Sequence, residues 1–94
     1  MLFRSALAKL LAGEWRSPRH DYLHRADGTW TMMPESSDGV RSTHGTWRIE
    51  GNEYVDTASL EPKKTDRTTI LLLTKTGFIH TDGKSVFYLK RIAS

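Results

Sequence analysis

The chain has 94 residues, no cysteine and a formal net charge of +3. This length predicts a single domain, and the absence of cysteine excludes disulfide bonds and thiolate metal sites. The excess positive charge lies within residues 1–25, whereas residues 26–94 carry nine basic and nine acidic side chains. We therefore expect an ordinary solvated surface rather than a nucleic-acid-binding face.

An amphipathic helix is predicted over residues 1–12, followed by Gly13 as a natural stop. Lys9 interrupts the apolar run, which argues against a signal peptide and favours a cytoplasmic location. No segment is apolar over enough residues to span a bilayer. Four apolar residues share one stripe of this helix, because they follow the spacing i, i+4, i+7, i+8: Phe3, Leu7, Leu10 and Leu11.

After Gly13, apolar and polar side chains alternate and turn residues recur at short intervals, which is typical of antiparallel strands. The predicted strands are Glu14–Ser17, His20–Ala26, Thr29–Met33, Ser42–Glu50, Glu53–Ser59, Thr68–Thr74, Gly77–Thr81 and Val86–Ile92. Eight short strands with local connections predict an all-β, up-and-down antiparallel barrel, closed or half-open, over residues 13–92. The alternative is a small barrel of the OB or SH3 type, in which the strands pair in a non-sequential order.

The alternation also predicts which side chains fill the barrel. An eight-stranded barrel has room only for its own side chains or for one small ligand. Any pocket must therefore form among the large residues of the interior, with Met32 as an adaptable wall. The expected interior set is Trp30, Met32, Trp47, Ile49, Tyr54, Ile70, Leu72, Phe87 and Leu89.

Four motifs follow one another along nearly the whole chain, from about Leu10 to Ile92. They are Leu11-Ala12-Gly13-Glu14-Trp15, Asp27-Gly28-Thr29-Trp30, Gly45-Thr46-Trp47-Arg48-Ile49-Glu50-Gly51-Asn52, and the closing stretches within residues 69–91. In this order they resemble lipocalins and the small bacterial lipocalin-like domains, whose opening motif is Leu-x-Gly-x-Trp. The resemblance implies a calycin-type barrel that, in some relatives, holds a small hydrophobic molecule in its mouth or interior.

The resemblance also implies how the base of the barrel closes. In lipocalins, a basic side chain of the last strand packs on the tryptophan of the opening motif. Here Trp15 lies near the start of the first strand, and Arg91 or Lys90 lies near the end of the last strand, its neighbour in a closed meander. We expect a structural cation–π contact worth about 0.5–2 kcal/mol and no part for Trp15 in ligand binding.

A ligand site is predicted on the interior face, where His24 is the polar residue of most interest. Facing the interior, His24 would meet a ligand carboxylate or phosphate and titrate near neutral pH. The alternative, which we favour, is a core histidine hydrogen-bonded to Tyr22, Tyr54 or a backbone carbonyl. The predicted ligand-binding residues are Tyr22, His24, Trp30, Met32, Trp47 and Tyr54.

Asp56 shares the inward face of its strand with Tyr54. It is therefore either a residue of the barrel mouth, with or without an arginine partner, or a charge at a strand end in solvent. The second situation is the commoner one for aspartate, and we favour it.

No metal site, cofactor or catalytic group is predicted. His20 and His24 would lie about 13 Å apart on a strand, which is too far for one ion, and no acidic cluster accompanies His44 or His80. Serine and threonine lie in turns and on alternating strand faces, and no residue that could act as their general base follows at a spacing typical of a nucleophilic site. We therefore expect no enzymatic activity.

Two functions remain open. One is a module that binds a small hydrophobic or amphipathic molecule in the barrel mouth, and the other is a protein-interaction or structural module with a filled barrel. A connected apolar cavity of about 300 Å³ or more favours the first. We also expect a homodimer, because an open barrel or an uncovered helix would recruit a second copy; a helix that caps its own barrel gives a monomer instead.

Overall fold

The structure, a computed structural model, describes residues 5–33, 43–60 and 64–93, apart from the side chains of Ser5 and Ala93. The described residues form one helix, α1 (Ser5–Leu11), and eight strands. The strands are β1 (Gly13–Arg16), β2 (Asp21–His24), β3 (Thr29–Met33), β4 (His44–Glu50), β5 (Glu53–Ala58), β6 (Thr65–Leu73), β7 (Gly77–Thr81) and β8 (Val86–Ala93). Phe3 of the predicted helix and Ser42 of the predicted fourth strand lie outside the described residues.

Each strand pairs antiparallel with the next one in sequence, and β8 pairs with β1, so the sheet closes into an eight-stranded barrel. This confirms the predicted all-β barrel with a short N-terminal helix. The half-open form and the non-sequential pairing of an OB or SH3 barrel are both wrong for this chain. Closure matters for the site, because it surrounds the interior with strands on every side and leaves only the two ends for access.

Several strand boundaries differ from the prediction by one to three residues, and two of these differences have clear local reasons. β2 ends at His24 because Arg25 is taken up by the following turn, where its carbonyl accepts a hydrogen bond from the Gly28 amide. β6 begins at Thr65, three residues before the predicted start, because its ladder with β5 continues to the pair Thr57–Thr65.

The helix covers one end of the barrel, which we call the closed end. Leu11 is fully buried in the core, and Leu7 and Ala8 pack against it. The turns β2–β3, β4–β5 and β6–β7 lie at this end, whereas the β1–β2 and β7–β8 connections lie at the opposite, open end. Because the sheet is closed and α1 packs on its own barrel, the two premises of the predicted homodimer are absent from the described residues.

The predicted core is confirmed for most of its members, since Ile70 packs against a buried set that includes Trp30, Met32, Trp47, Ile49, Tyr54 and Leu89. Leu72, however, is 45% exposed. A β-bulge between Ile70 and Leu72 shifts the alternation, so Leu73 packs on the core in its place.

Phe87 lies on the interior face, as predicted, but it is only partly buried. It is 40% exposed although it pairs with the inward-facing His80. Phe87 faces the barrel interior near the open end, where the interior is not filled. Phe78 and Val55, which the sequence analysis did not single out, are almost fully buried.

Two tryptophans bridge β3 and β4 in a reciprocal way. The indole N–H of Trp30 donates to the carbonyl of Thr46 at 3.1 Å, and that of Trp47 donates to the carbonyl of Thr29 at 3.0 Å. Gly45 lies under the Trp30 ring, where a Cβ atom would come within 2.9 Å of two ring carbons. The Gly-Thr-Trp motif is thus explained by packing, and both indole N–H groups are occupied by the backbone.

Candidate ligand-binding cavity

A cavity of about 800 Å³ occupies the open end of the barrel interior. Its inner part is walled by His24, Tyr54 and Phe78, and its mouth is bordered by the exposed Pro18, Arg19 and Val86. The cavity exists because α1, Trp15 and the buried core fill only the closed end of the barrel. Its volume falls within the range of sites that hold small molecules, about 300–1,000 Å³.

Five of the six predicted ligand-binding residues line this cavity: Tyr22, His24, Trp30, Met32 and Tyr54. Trp47 does not line it. Its ring lies edge-on to the His24 ring, with centroids 5.6 Å apart, and its indole N–H is bonded to the backbone. Trp47 therefore supports His24 from behind and is not part of the wall.

His24 has the core arrangement that we favoured from the sequence. Its Nε2 lies 2.8 Å from the Tyr54 hydroxyl oxygen, and the residue is only 3% exposed. Burial, assisted by the neighbouring His80, lowers the pKa of His24 to about 3. The ring is therefore neutral near physiological pH, and the titration near neutral pH that belonged to the ligand-facing alternative is not expected. Its Nδ1 is buried and has no hydrogen-bond partner among the described residues.

His80 adds a second neutral imidazole to the wall. Its Nδ1 lies 2.7 Å from the Thr68 hydroxyl oxygen, and its ring stacks on Phe78 with the centroids 4.5 Å apart. Burial lowers the pKa of His80 to about 4. The sequence analysis treated His80 as isolated. Its alternation with Phe78 on one strand, opposite Phe87 on the next, was the signal that could have placed it on this wall.

Asp56 is a residue of the cavity wall, so our preference for a solvent charge at a strand end is wrong. It lies opposite Asp66 of β6 in the strand register, and both residues line the cavity. Burial, and next the adjacent Asp66 carboxylate, raises the pKa of Asp56 to about 6. Within the described part of the chain, Asp56 has no arginine partner.

At the closed end, the predicted contact between Trp15 and Arg91 is present. The guanidinium carbon lies 4.3 Å from the indole centroid. Arg91 also donates to the carbonyls of Leu10, in the last turn of α1, and of Ala12, just after it. Trp15 is fully buried and donates its indole N–H to the Leu11 carbonyl at 2.7 Å. Lys90, the alternative partner, is exposed.

Other kinds of site find little support in the residues that the structure describes. Those residues contain no group of three or more histidine or acidic side chains that could hold a metal ion. None of their helices is long and apolar enough to cross a membrane.

A double-mutant cycle tests the buried pair at the base of the cavity. His24→Phe and Tyr54→Phe are each expected to lower the free energy of unfolding by about 1–3 kcal/mol, because each leaves a buried polar atom without its partner. The double variant should lose at least about 1 kcal/mol less than the sum of the two. Urea unfolding at about pH 7.5 measures the stability of the parent, the two single variants and the double variant. If the two losses of stability simply add in the double variant, the hydrogen bond is contradicted.

Comparison with known proteins gives no direct lead to function. No family model, curated protein or solved structure matches this chain. The functional argument therefore rests on the cavity and on the residues around it.

Proposed function

We propose that this protein is a lipocalin-like binding module that holds a small hydrophobic or amphipathic molecule in the open end of its barrel. The observation that carries the proposal is the cavity of about 800 Å³ inside a closed barrel. A filled barrel would need no such space, because protein interiors are normally close-packed. The order of the sequence motifs supports a lipocalin-like assignment independently of the cavity.

The chemistry of the wall supports an organic ligand. Rings from five strands line the space, including Tyr22, Trp30, Tyr54, Phe78 and Phe87. Aromatic walls supply much apolar contact area with few rotatable bonds. The Trp30 indole N–H is already bonded to the backbone, and both histidines of the wall are neutral near pH 7 because burial lowers their pKa values. Binding in the inner part of the cavity would therefore depend on shape and apolar contact rather than on charge.

A ligand screen tests the proposal. The protein is expected to gain thermal stability with at least one member of a panel of fatty acids, haem and neutral aromatic compounds, since a molecule that binds only the folded state raises its stability. Native mass spectrometry should show the same compound bound at one molecule per chain. The absence of any binder, together with the absence of a co-purified molecule, would contradict the proposal.

A second candidate function, protein interaction, is favoured by the outer face of the sheet. Leu72, Ile79 and Tyr88 lie side by side across β6, β7 and β8, and Leu72 and Tyr88 are 45% and 52% exposed. A homodimer that covers this apolar row remains a prediction. Light scattering that returns only the 10.7 kDa mass of one chain at high concentration would contradict the dimer without touching the ligand proposal.

A further inference from the structure

Some of the charged groups at the mouth of the cavity already have partners within the protein, and others do not. Arg67 is paired with Glu50 and Glu53. Asp82 accepts the backbone N–H groups of Lys84 and Ser85, both at 2.8 Å. Arg67 and Asp82 are therefore already occupied by other groups of the protein.

Asp56 and Asp66 are different. Within the described residues, neither carboxylate takes part in an ion pair or a side-chain hydrogen bond, and Arg19 of the β1–β2 connection, which also borders the mouth, pairs with neither. The two residues are direct partners across β5 and β6. Like charges in that position repel one another, and a half-buried carboxylate also loses hydration. A cation placed between them would relieve both costs.

We propose that the ligand is an organic cation with an apolar body: its ammonium group lies between Asp56 and Asp66, and its body lies against the aromatic wall formed by Tyr22, His80 and Phe87. This inference rests on the proposed function and specifies the class of ligand. The rings also favour a cation, because an ammonium group is attracted to the face of an aromatic ring.

The inner part of the cavity supplies a second observation that points to a ligand. His24 lines it, and the buried Nδ1 of His24 has no partner among the described residues. Such an atom is uncommon in a folded protein. Because it has almost no accessible surface, a polar group of a bound molecule would satisfy it only after the ring turns towards the cavity. An inorganic divalent ion fits less well, because calcium takes six to eight oxygen ligands and magnesium demands an octahedral set, whereas two carboxylates stand here.

Three probes of nearly equal shape separate the alternatives: 2-phenylethylamine, 2-phenylethanol and 3-phenylpropanoate, which are cationic, neutral and anionic. Calorimetric titration at about pH 7.5 and low salt is expected to show the amine binding at least about tenfold more tightly than the alcohol, as for one charge-assisted hydrogen bond. The anion should bind most weakly. Equal affinities would overturn the cation inference and leave the proposed function standing.

Two other outcomes would also overturn the inference. Tighter binding of 3-phenylpropanoate would show that Arg19 sets the charge preference of the mouth. Displacement of the amine by calcium or magnesium ions at equal concentration would show an inorganic cation site. If none of the three probes binds, the cation inference fails; the proposed function fails only if the wider apolar panel also finds no binder.

Matched variants assign the effect to the carboxylates. Asp56→Asn is expected to weaken 2-phenylethylamine binding about tenfold or more and to leave 2-phenylethanol binding unchanged. Asp66→Asn should weaken the amine in the same direction. Asp21→Asn is the control, because it removes the same charge from the exposed Arg16–Asp21 pair at the open end of β2. It should leave the binding of both probes unchanged. Equal binding of the amine to Asp56→Asn and the parent would contradict the assignment.

The pH profile gives a separate readout. Asp56 is faced by Asp66 from β6 and interacts with Tyr22 from β2, while its β4 partner, Trp47, carries no charge. The pKa of Asp56 lies near 6, so lowering the pH from about 7.5 to about 5.5 should protonate this carboxylate. The affinity for 2-phenylethylamine should then fall several-fold. Binding of 2-phenylethanol should not change. Asp56→Asn should keep or raise the melting temperature at about pH 7.5, which separates lost binding from lost folding.

Discussion

Arg91→Ala is expected to lower the free energy of unfolding by about 3 kcal/mol, the largest loss that we expect from a single polar substitution in this protein. The guanidinium stacks on Trp15 and donates to the carbonyls of Leu10, Ala12 and Lys75. It therefore joins β8, the end of α1 and the β6–β7 turn through one side chain. Its removal leaves those carbonyls without their donor and exposes the indole face.

This loss is large in relation to the total free energy of unfolding. A domain of this size is stable by about 5–15 kcal/mol, so the variant is expected to lose between about a fifth and three fifths of its stability. Urea unfolding at about pH 7.5 measures the change. Lys90→Ala alters the adjacent, exposed residue and should shift stability by no more than about 0.5 kcal/mol.

Arg91→Lys distinguishes charge from geometry. Lysine keeps the positive charge but cannot reach several carbonyls and lie flat on the indole at the same time. It should therefore recover less than half of the loss. Full recovery by lysine, or a loss below about 1 kcal/mol in Arg91→Ala, would contradict the view that Arg91 holds the closed end together.

Acidification should destabilise the protein through two histidines of the cavity wall, the buried His24 and the partly buried His80. In the folded state, burial holds the pKa of His24 near 3 and that of His80 near 4, whereas an unfolded chain has a histidine pKa of about 6.5. The folded state therefore binds fewer protons than the unfolded state below about pH 6.5. Stability is fully present above that pH and is lost progressively as the pH falls towards 3–4.

The expected loss of stability at about pH 5 is about 2 kcal/mol for each histidine, since each pH unit below the unfolded pKa costs about 1.4 kcal/mol. Asp56 acts in the opposite direction. Its folded pKa is raised to about 6, so protonation on acidification favours the folded state and offsets part of the loss. Urea unfolding at about pH 7.5 and about pH 5 gives the net change.

Variants separate these contributions. His80→Phe should be less sensitive to acid than the parent by about 2 kcal/mol over this range, because it removes one of the two groups. Asp56→Asn should be more sensitive than the parent, because the compensating proton uptake is lost. A stability that stays constant from about pH 7.5 to about pH 5 in the parent and in both variants would contradict the buried, neutral state of the histidines.

Much of the fold was predictable from the sequence because period-two alternation and turn residues act locally. Trp30, Trp47 and Ile49 were placed inside by counting along single strands, and the structure confirms them as buried. The bulge near Leu72 could not be found in this way, since it depends on how β6 pairs with β7. The pattern Ile70–Leu73 is uniformly apolar and therefore carries no information on register.

The site was less predictable than the fold. Alternation placed Tyr22, His24 and Tyr54 on one face, but it could not show that Trp47 packs behind His24, because both side chains point inward. Pairing across strands brings Asp56 to Asp66, and a single strand of sequence does not reveal its partner. The pKa values of the two histidines depend on burial by the complete barrel, which no local pattern contains.

A fluorescence titration with N-phenyl-1-naphthylamine tests most directly whether the barrel interior binds a small molecule. Phe87 and Leu72 are a matched pair, because they are 40% and 45% exposed, yet only Phe87 lines the cavity. The account predicts saturable binding of one probe molecule per chain, weakened about tenfold by Phe87→Ala and unchanged by Leu72→Ala. No saturable binding, or binding that Leu72→Ala removes and Phe87→Ala spares, would contradict it.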